Sequence, residues 1–133
     1  MMKYVIDTHA LIWFLEGNSR LGANAKAVLS HPDSQLIIPA TTLAEAVWIV
    51  ERGRTSIPSS KDVIAAVETD YRVLIYPLDK EIIEMTMNLS AINEMHDRQI
   101  AATALVLASK GDIVQLLTCD QNITASGLVP IVW

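Results

Sequence analysis

The chain has 133 residues, 51% of them apolar and 19% charged, with a formal net charge of −5. That is the length of one domain, spanning 1–133, with apolar material for a sizeable core, so disorder is excluded. The one cysteine, Cys119, excludes a disulfide framework and a cysteine zinc site, and the acidic balance excludes a basic nucleic-acid coat. The pattern predicts a first strand at 3–6, then a helix from Thr8 to Gly17, a residue suited to a helix C-terminus. A helix over 23–30 ends before the turn signal "HPDS". The second strand, 35–38, closes at Pro39. A helix from Leu43 to about Arg52 stops at Gly53, and another covers 60–69 after Pro58. The third strand, 72–76, closes at Pro77, and Asp79 caps a long helix reaching about Met95. A further helix over 97–110 stops at Gly111. A fourth strand at 114–118 and a short last strand at 128–132 complete the chain.

Strands alternating with helices predict a parallel sheet covered on both faces. The runs "LIIP" and "VLIY" show no polar alternation, as strands buried on two faces require. No signal peptide is expected, because Asp7 breaks the apolar run after Ile6, and no stretch has the length of a membrane span. Ligands of open parallel sheets sit beyond the carboxyl ends of the strands.

Four of the 15 acidic residues fall where they can reach that edge. Asp7 follows the first strand, although it can also cap the next helix. Glu45 opens the helix after the second strand, and Thr42-x-x-Glu45 fits a capping box. Asp97 begins a helix of small apolar residues, where it too can cap. Asp120 follows the fourth strand as Asp7 follows the first, and its simpler reading is a turn residue. The other acids, Glu94 among them, read as turn, cap or surface residues. Two carboxylates about 5 Å apart repel by about 3 kcal/mol at an effective dielectric near 20. Protonation or a cation relieves this, and an all-oxygen site favours Mg²⁺ or Mn²⁺ over zinc. Asp7 is therefore a candidate metal ligand.

The segments "YVIDTHALIW", "TTLAEAVWIV", "HDRQIAATAL" and "LLTCDQN", in this order and over nearly the whole chain, resemble the PIN-domain nucleases. They are most similar to the VapC-type toxins of prokaryotic toxin–antitoxin pairs. The resemblance implies a three-layer α/β/α fold with a central, mostly parallel sheet of 4–5 strands. It implies an endoribonuclease dependent on Mg²⁺ or Mn²⁺, which activates a water and stabilises charge on the phosphate. Asp7, Glu45 and Asp97 would hold the metal. Asp120 would serve a second metal or orient the water, with Thr8 and Thr118 in support. The expected products are a 5′-phosphate and a 3′-hydroxyl. A cognate antitoxin and a homodimer follow from the same likeness, and the single cysteine fits a reducing cytosol, hence a cytoplasmic location. Close relatives with "DTHALIW" often carry Pro-Phe before the third Asp, where this chain has "EMHDRQ"; the substrate preference is accordingly open.

Arg98, Arg52 and Arg54 are candidates for flanking phosphates, or else solvated surface residues. His9 and His96 lie beside proposed ligands and lack the paired spacing of a zinc site. The unbroken run to Trp13, Phe14 and Leu15 suggests a second buried face for a dimer or an antitoxin. The wide stripe Met85, Leu89 and Ile92, with Ile83 and Met87 beside them, reads as core, and Trp48 and Trp133 as packing residues. A phosphoacceptor receiver would want an acidic pair after the first strand and a Lys near Asp120; neither is present. A haloacid-dehalogenase-type phosphatase would want Asp where His9 stands. A catalytically silent binding protein of the same fold, and a metal-dependent nuclease with no toxin role, are the remaining alternatives.

Overall fold

A computed structural model describes residues 2–133. The elements are β1 (Met2–Ile6), α1 (Thr8–Glu16), α2 (Ala23–Ser30), β2 (Leu36–Pro39), α3 (Ala40–Glu51) and α4 (Ser60–Thr69). They continue with β3 (Val73–Tyr76), α5 (Lys80–Thr86), α6 (Met95–Ser109), β4 (Ile113–Leu117), α7 (Gln121–Ser126) and β5 (Ile131–Val132). The five strands form one sheet in the order β3-β2-β1-β4-β5, and every pairing is parallel. The chain steps outward from β1 through β2 to β3, then returns to the other side of β1 for β4. The direction therefore switches between β1 and β4, where open sheets of this type form a crevice.

Strand residues alternate between two cores, as the pleat dictates. Val5, Ile37 and Leu116 pack beneath α5, α6 and α7, with Ile82, Ile100 and Ile123. Ile6, Leu36, Ile38 and Leu117 face α1 to α4, with Leu11, Ala46 and Val63. This is the expected three-layer α/β/α arrangement. The central strand β2, LIIP, is apolar and buried throughout because both faces are covered, while β1 and β4 bury the apolar residues nearest their carboxyl ends.

Several expected boundaries move. β3 is an edge strand rather than a fully buried one: Leu74 is 53% and Ile75 40% exposed. An apolar run alone does not tell an edge from a centre. The long helix after Asp79 ends at Thr86. Asp79 does cap it, accepting from the Ile82 N–H at 3.0 Å. Beyond it, backbone bonds of one short turn each take over (Asn88 to Met85, Leu89 to Thr86, Ile92 to Leu89) while Leu89 and Ile92 stay buried. The apolar stripe thus continues through turns that a helix period resembles. The expected core role of Leu89 and Ile92 holds, whereas Ile83 and Met87 are exposed because they point away from the sheet, and α7 is an element that the pattern does not announce.

Trp13, Phe14 and Leu15 do not form a free second face. All three are partly buried against the α1–α4 core, and Trp13 meets Trp133 edge-on at 5.9 Å. Trp48, expected to pack, is 54% exposed. The closest approach in this region is at Gly22, where an added Cβ would stand 2.5 Å from the Trp133 carbonyl carbon. Gly22→Ala should therefore destabilise the fold by about 1–3 kcal/mol through overpacking. Chemical denaturation measures this; an unchanged midpoint contradicts the contact.

Candidate functional site

β1 delivers Asp7 to the centre of the carboxyl edge. The Asp7 N–H donates to the Leu117 carbonyl at 3.2 Å, tying the exits of β1 and β4 together. Its Oδ1 accepts from the Ala10 N–H at 2.8 Å, so Asp7 is the N-cap of α1 as well as a cleft residue. Thr8 is the first residue of the helix. Its hydroxyl donates to Glu45 Oε1 at 2.7 Å.

Glu45 is positioned by a shift that sequence pattern misses. α3 begins at Ala40, not at Leu43, directly after Pro39 fixes an extended turn. Thr42 then lies inside the helix, and its buried hydroxyl donates to the Ile6 carbonyl at 2.8 Å. No capping box forms. The Glu45 carboxylate is released from the backbone and reaches across to α1.

Asp97 does not cap α6. Glu94 does, with Oε2 accepting from the Asp97 N–H at 2.8 Å. Glu94 Oε1 lies 2.7 Å from His96 Nδ1, which in turn is 3.6 Å from Glu45 Oε2. Glu94, a surface residue by its pattern, is the site residue that sequence reasoning misses. The usable signal is an acid three residues before Asp97, the spacing of an N-cap to its third helical residue. The segment holding Glu94 is clipped by Asn122 of α7, whose amide bonds both Asn93 N–H at 2.8 Å and the Ala91 carbonyl at 3.0 Å.

Asp120 is the N-cap of α7, accepting from the Ile123 N–H at 2.8 Å. Its own N–H donates to the Thr118 hydroxyl at 3.0 Å, and Thr118 is fully buried. Asp7, Glu45, Asp97 and Asp120 line one cleft of about 730 Å³, with Glu94, Thr8, His9 and Trp13 also in its walls. Arg98, Arg52 and Arg54 do not line it. Arg98 donates through Nε to the Ile92 carbonyl, Arg52 lies over the Trp48 ring at 4.0 Å, and Arg54 is exposed.

The electrostatics follow from this crowding. Burial pushes the Asp7 carboxyl up, against the pull of hydrogen bonds from Thr118 and Ala10. Burial and then the charges of Asp120, Glu94, Glu45 and Asp7 push Asp97 from its ordinary 3.8 up to about 7. Burial also acts to raise Glu94, but hydrogen bonds from the His96 and Asp97 N–H groups and the His96 ring hold it below the usual range. The bond to Glu94 and the charge of Glu45 push His96 up. The site thus carries more negative charge than it can neutralise alone. Its donors are carboxylate and hydroxyl oxygens, which suit a hard divalent cation. Among the described residues, no group of three or more His, Cys, Asp and Glu forms a ready cage. The fit rests on donor chemistry and unrelieved charge.

A PIN domain family model matches residues 4–126. Among solved structures, the chain is similar to the VapC20 toxin of Mycobacterium tuberculosis, described as cleaving the sarcin-ricin loop. The two share 19% identity over 96% of this chain and 97% of that one, with a TM-score of 0.68. FitAcB from Neisseria gonorrhoeae has 18% identity, covering 100% and 97%, at TM-score 0.62. FitAB bound to an IR36 DNA fragment has 19% identity, covering 99% and 94%, at TM-score 0.59. At these identities the likeness is one of fold. No curated protein matches the sequence.

The raised Asp97 carboxyl has a consequence for stability. Its contribution is present in full below the ordinary value of 3.8 and is lost as pH rises through about 7. In metal-free buffer, Asp97→Asn should gain melting temperature relative to the wild type as pH rises from about 4 to about 8. A difference that stays constant over that range contradicts the assignment.

Proposed function

The chain belongs to the PIN domain family, and on that premise we propose that it is a divalent-metal-dependent endoribonuclease, the toxin of a toxin–antitoxin pair, working in the cytoplasm. The observation that carries this reading is the convergence of Asp7, Glu45, Asp97 and Asp120, from four separate segments, on one cleft at the switch point of the sheet. Helix capping alone does not account for the set. Glu45 and Asp97 cap nothing, and Asp97 is held at a raised pKa.

In this reading Asp7, Asp97 and Glu45 hold Mg²⁺ or Mn²⁺, directly or through water. Asp120 serves a second ion or orients the attacking water. When bound, the cation supplies positive charge to the phosphate and acidifies water. The chain's own residues arrange the rest. Thr8 fixes one oxygen of Glu45, and the other lies 3.6 Å from His96 Nδ1. Thr118 holds the Asp7 carboxyl and the Asp120 backbone together at the ends of β1 and β4. Glu94 fixes the first turn of α6 and hence the origin of the Asp97 side chain. The water oxygen bonds to phosphorus as the bond to the 3′ oxygen breaks, leaving a 5′-phosphate and, after protonation, a 3′-hydroxyl.

The acidic cleft is the surface that the antitoxin is proposed to cover. A homodimer is proposed through the apolar groove beside it, where Trp48 is 54%, Leu78 41% and Met95 60% exposed. No described helix is long and apolar enough to cross a membrane.

With purified protein and single-stranded RNA, cleavage should require Mg²⁺ or Mn²⁺ and stop with EDTA. Asp7→Asn should lose about 100-fold or more, and Thr8→Val, which only unfixes Glu45, about 10- to 100-fold. No metal-dependent cleavage by the wild type, or equal cleavage by Asp7→Asn, overturns the reading and favours a silent binding protein. A monomer by light scattering at micromolar concentration removes the dimer. Failure to co-purify with the product of an adjacent co-expressed reading frame counts against the antitoxin.

A further inference from the structure

His9 is exposed although its neighbours Thr8 and Ala10 are buried. One helical turn further, Trp13 lines the same cleft, its ring centroid 5.3 Å from that of His9 at a tilt of 48°. Trp133 braces Trp13 from behind, edge-on at 5.9 Å and 62°, and Trp133 itself is seated against Gly22. Three rings thus run from the last residue of the chain to the rim of the acidic cleft. The inner rings are held in place, and the outermost is open to solvent.

The lining of that cleft makes the rings important. Its carboxyl side chains are Asp7, Glu45, Glu94, Asp97 and Asp120, and no Lys or Arg is among its described walls. Side-chain charge therefore cannot hold a polyanion there. A cation offsets charge only at the phosphate it meets. Affinity for the rest of the substrate needs contacts that ignore charge. Unpaired nucleobases supply these by stacking on aromatic side chains, histidine and tryptophan included.

We propose that His9, braced by Trp13, is a stacking subsite for the nucleobase next to the scissile phosphate of a single-stranded RNA. The proposal rests on the ribonuclease reading above. His9 touches the base through its ring face and takes no part in proton transfer, so any aromatic ring of similar size serves. Trp13 is a positioning residue that acts through His9.

The test uses a mixed-sequence single-stranded RNA in Mn²⁺. His9→Ala should raise KM about 5- to 50-fold with kcat within about twofold, and His9→Phe should restore KM. An unchanged KM in His9→Ala, or a kcat loss that His9→Phe leaves unrepaired, overturns the subsite. A second measurement needs no turnover. In Asp7→Asn, with Trp48→Phe to remove the exposed indole, the same RNA should quench the fluorescence of the remaining Trp13 and Trp133 pair, and His9→Ala should weaken that titration by a similar factor. No quenching in the folded protein also overturns the subsite. Absence of cleavage by the wild type beside intact quenching defeats the ribonuclease reading and leaves the stacking subsite standing.

Discussion

Burial of carboxylates close together at the carboxyl edge of the sheet is the constraint on which the rest of the site depends. Five acids share one cleft, and burial first, then the charges of its neighbours, pushes Asp97 up to about 7. The fold offsets part of the charge with backbone. Asp7 caps α1, Glu94 caps α6 and Asp120 caps α7. Each places the positive end of a helix beside an acid. These caps also fix where the carboxylates sit, so structural and functional roles share the same atoms. What the caps leave unbalanced is the charge that a divalent cation would neutralise.

The parallel sheet brings the acids together. With strand order β3-β2-β1-β4-β5, the ends of β1 and β4 are neighbours although more than a hundred residues separate them in sequence. The Asp7 N–H bond to Leu117 seals that junction. The helices α3 and α6 then bring Glu45 and Asp97 in from opposite faces of the sheet. Thr8 donates its hydroxyl to Glu45, and Thr118 ties the Asp7 carboxyl to the Asp120 backbone.

The central strands and the end of β1 were legible in the sequence, because a short apolar run followed directly by an acid marks the carboxyl end of a strand in a parallel sheet; β4 ends at Leu117, one residue earlier than expected, with Thr118 and Cys119 before Asp120. Helix registers were less legible. Thr42-x-x-Glu45 has the form of a capping box, yet Pro39 starts α3 earlier and turns Thr42 toward the Ile6 carbonyl. Asp97 has the form of an N-cap, yet Glu94 takes that place. In both cases local pattern offered two registers and tertiary contacts chose between them. The exposure of β3 and of Trp48 depends on which strand lies at the edge and which helix face is left uncovered, and neither is written in hydrophobicity. The bracing of Trp13 by Trp133 joins opposite ends of the chain, beyond the reach of any sequence window.

The central claim is that the carboxylate cluster is built to take up a divalent cation. Calorimetric titration of the metal-free protein with Mn²⁺ at pH 7, in two buffers of different ionisation enthalpy, tests it most directly. With Asp97 near half-protonation at that pH, binding should occur and release on the order of half a proton per site, a release that fades at higher pH. Absence of Mn²⁺ binding at millimolar concentration, or uptake that releases no proton and is unchanged in Asp97→Asn, would contradict the account.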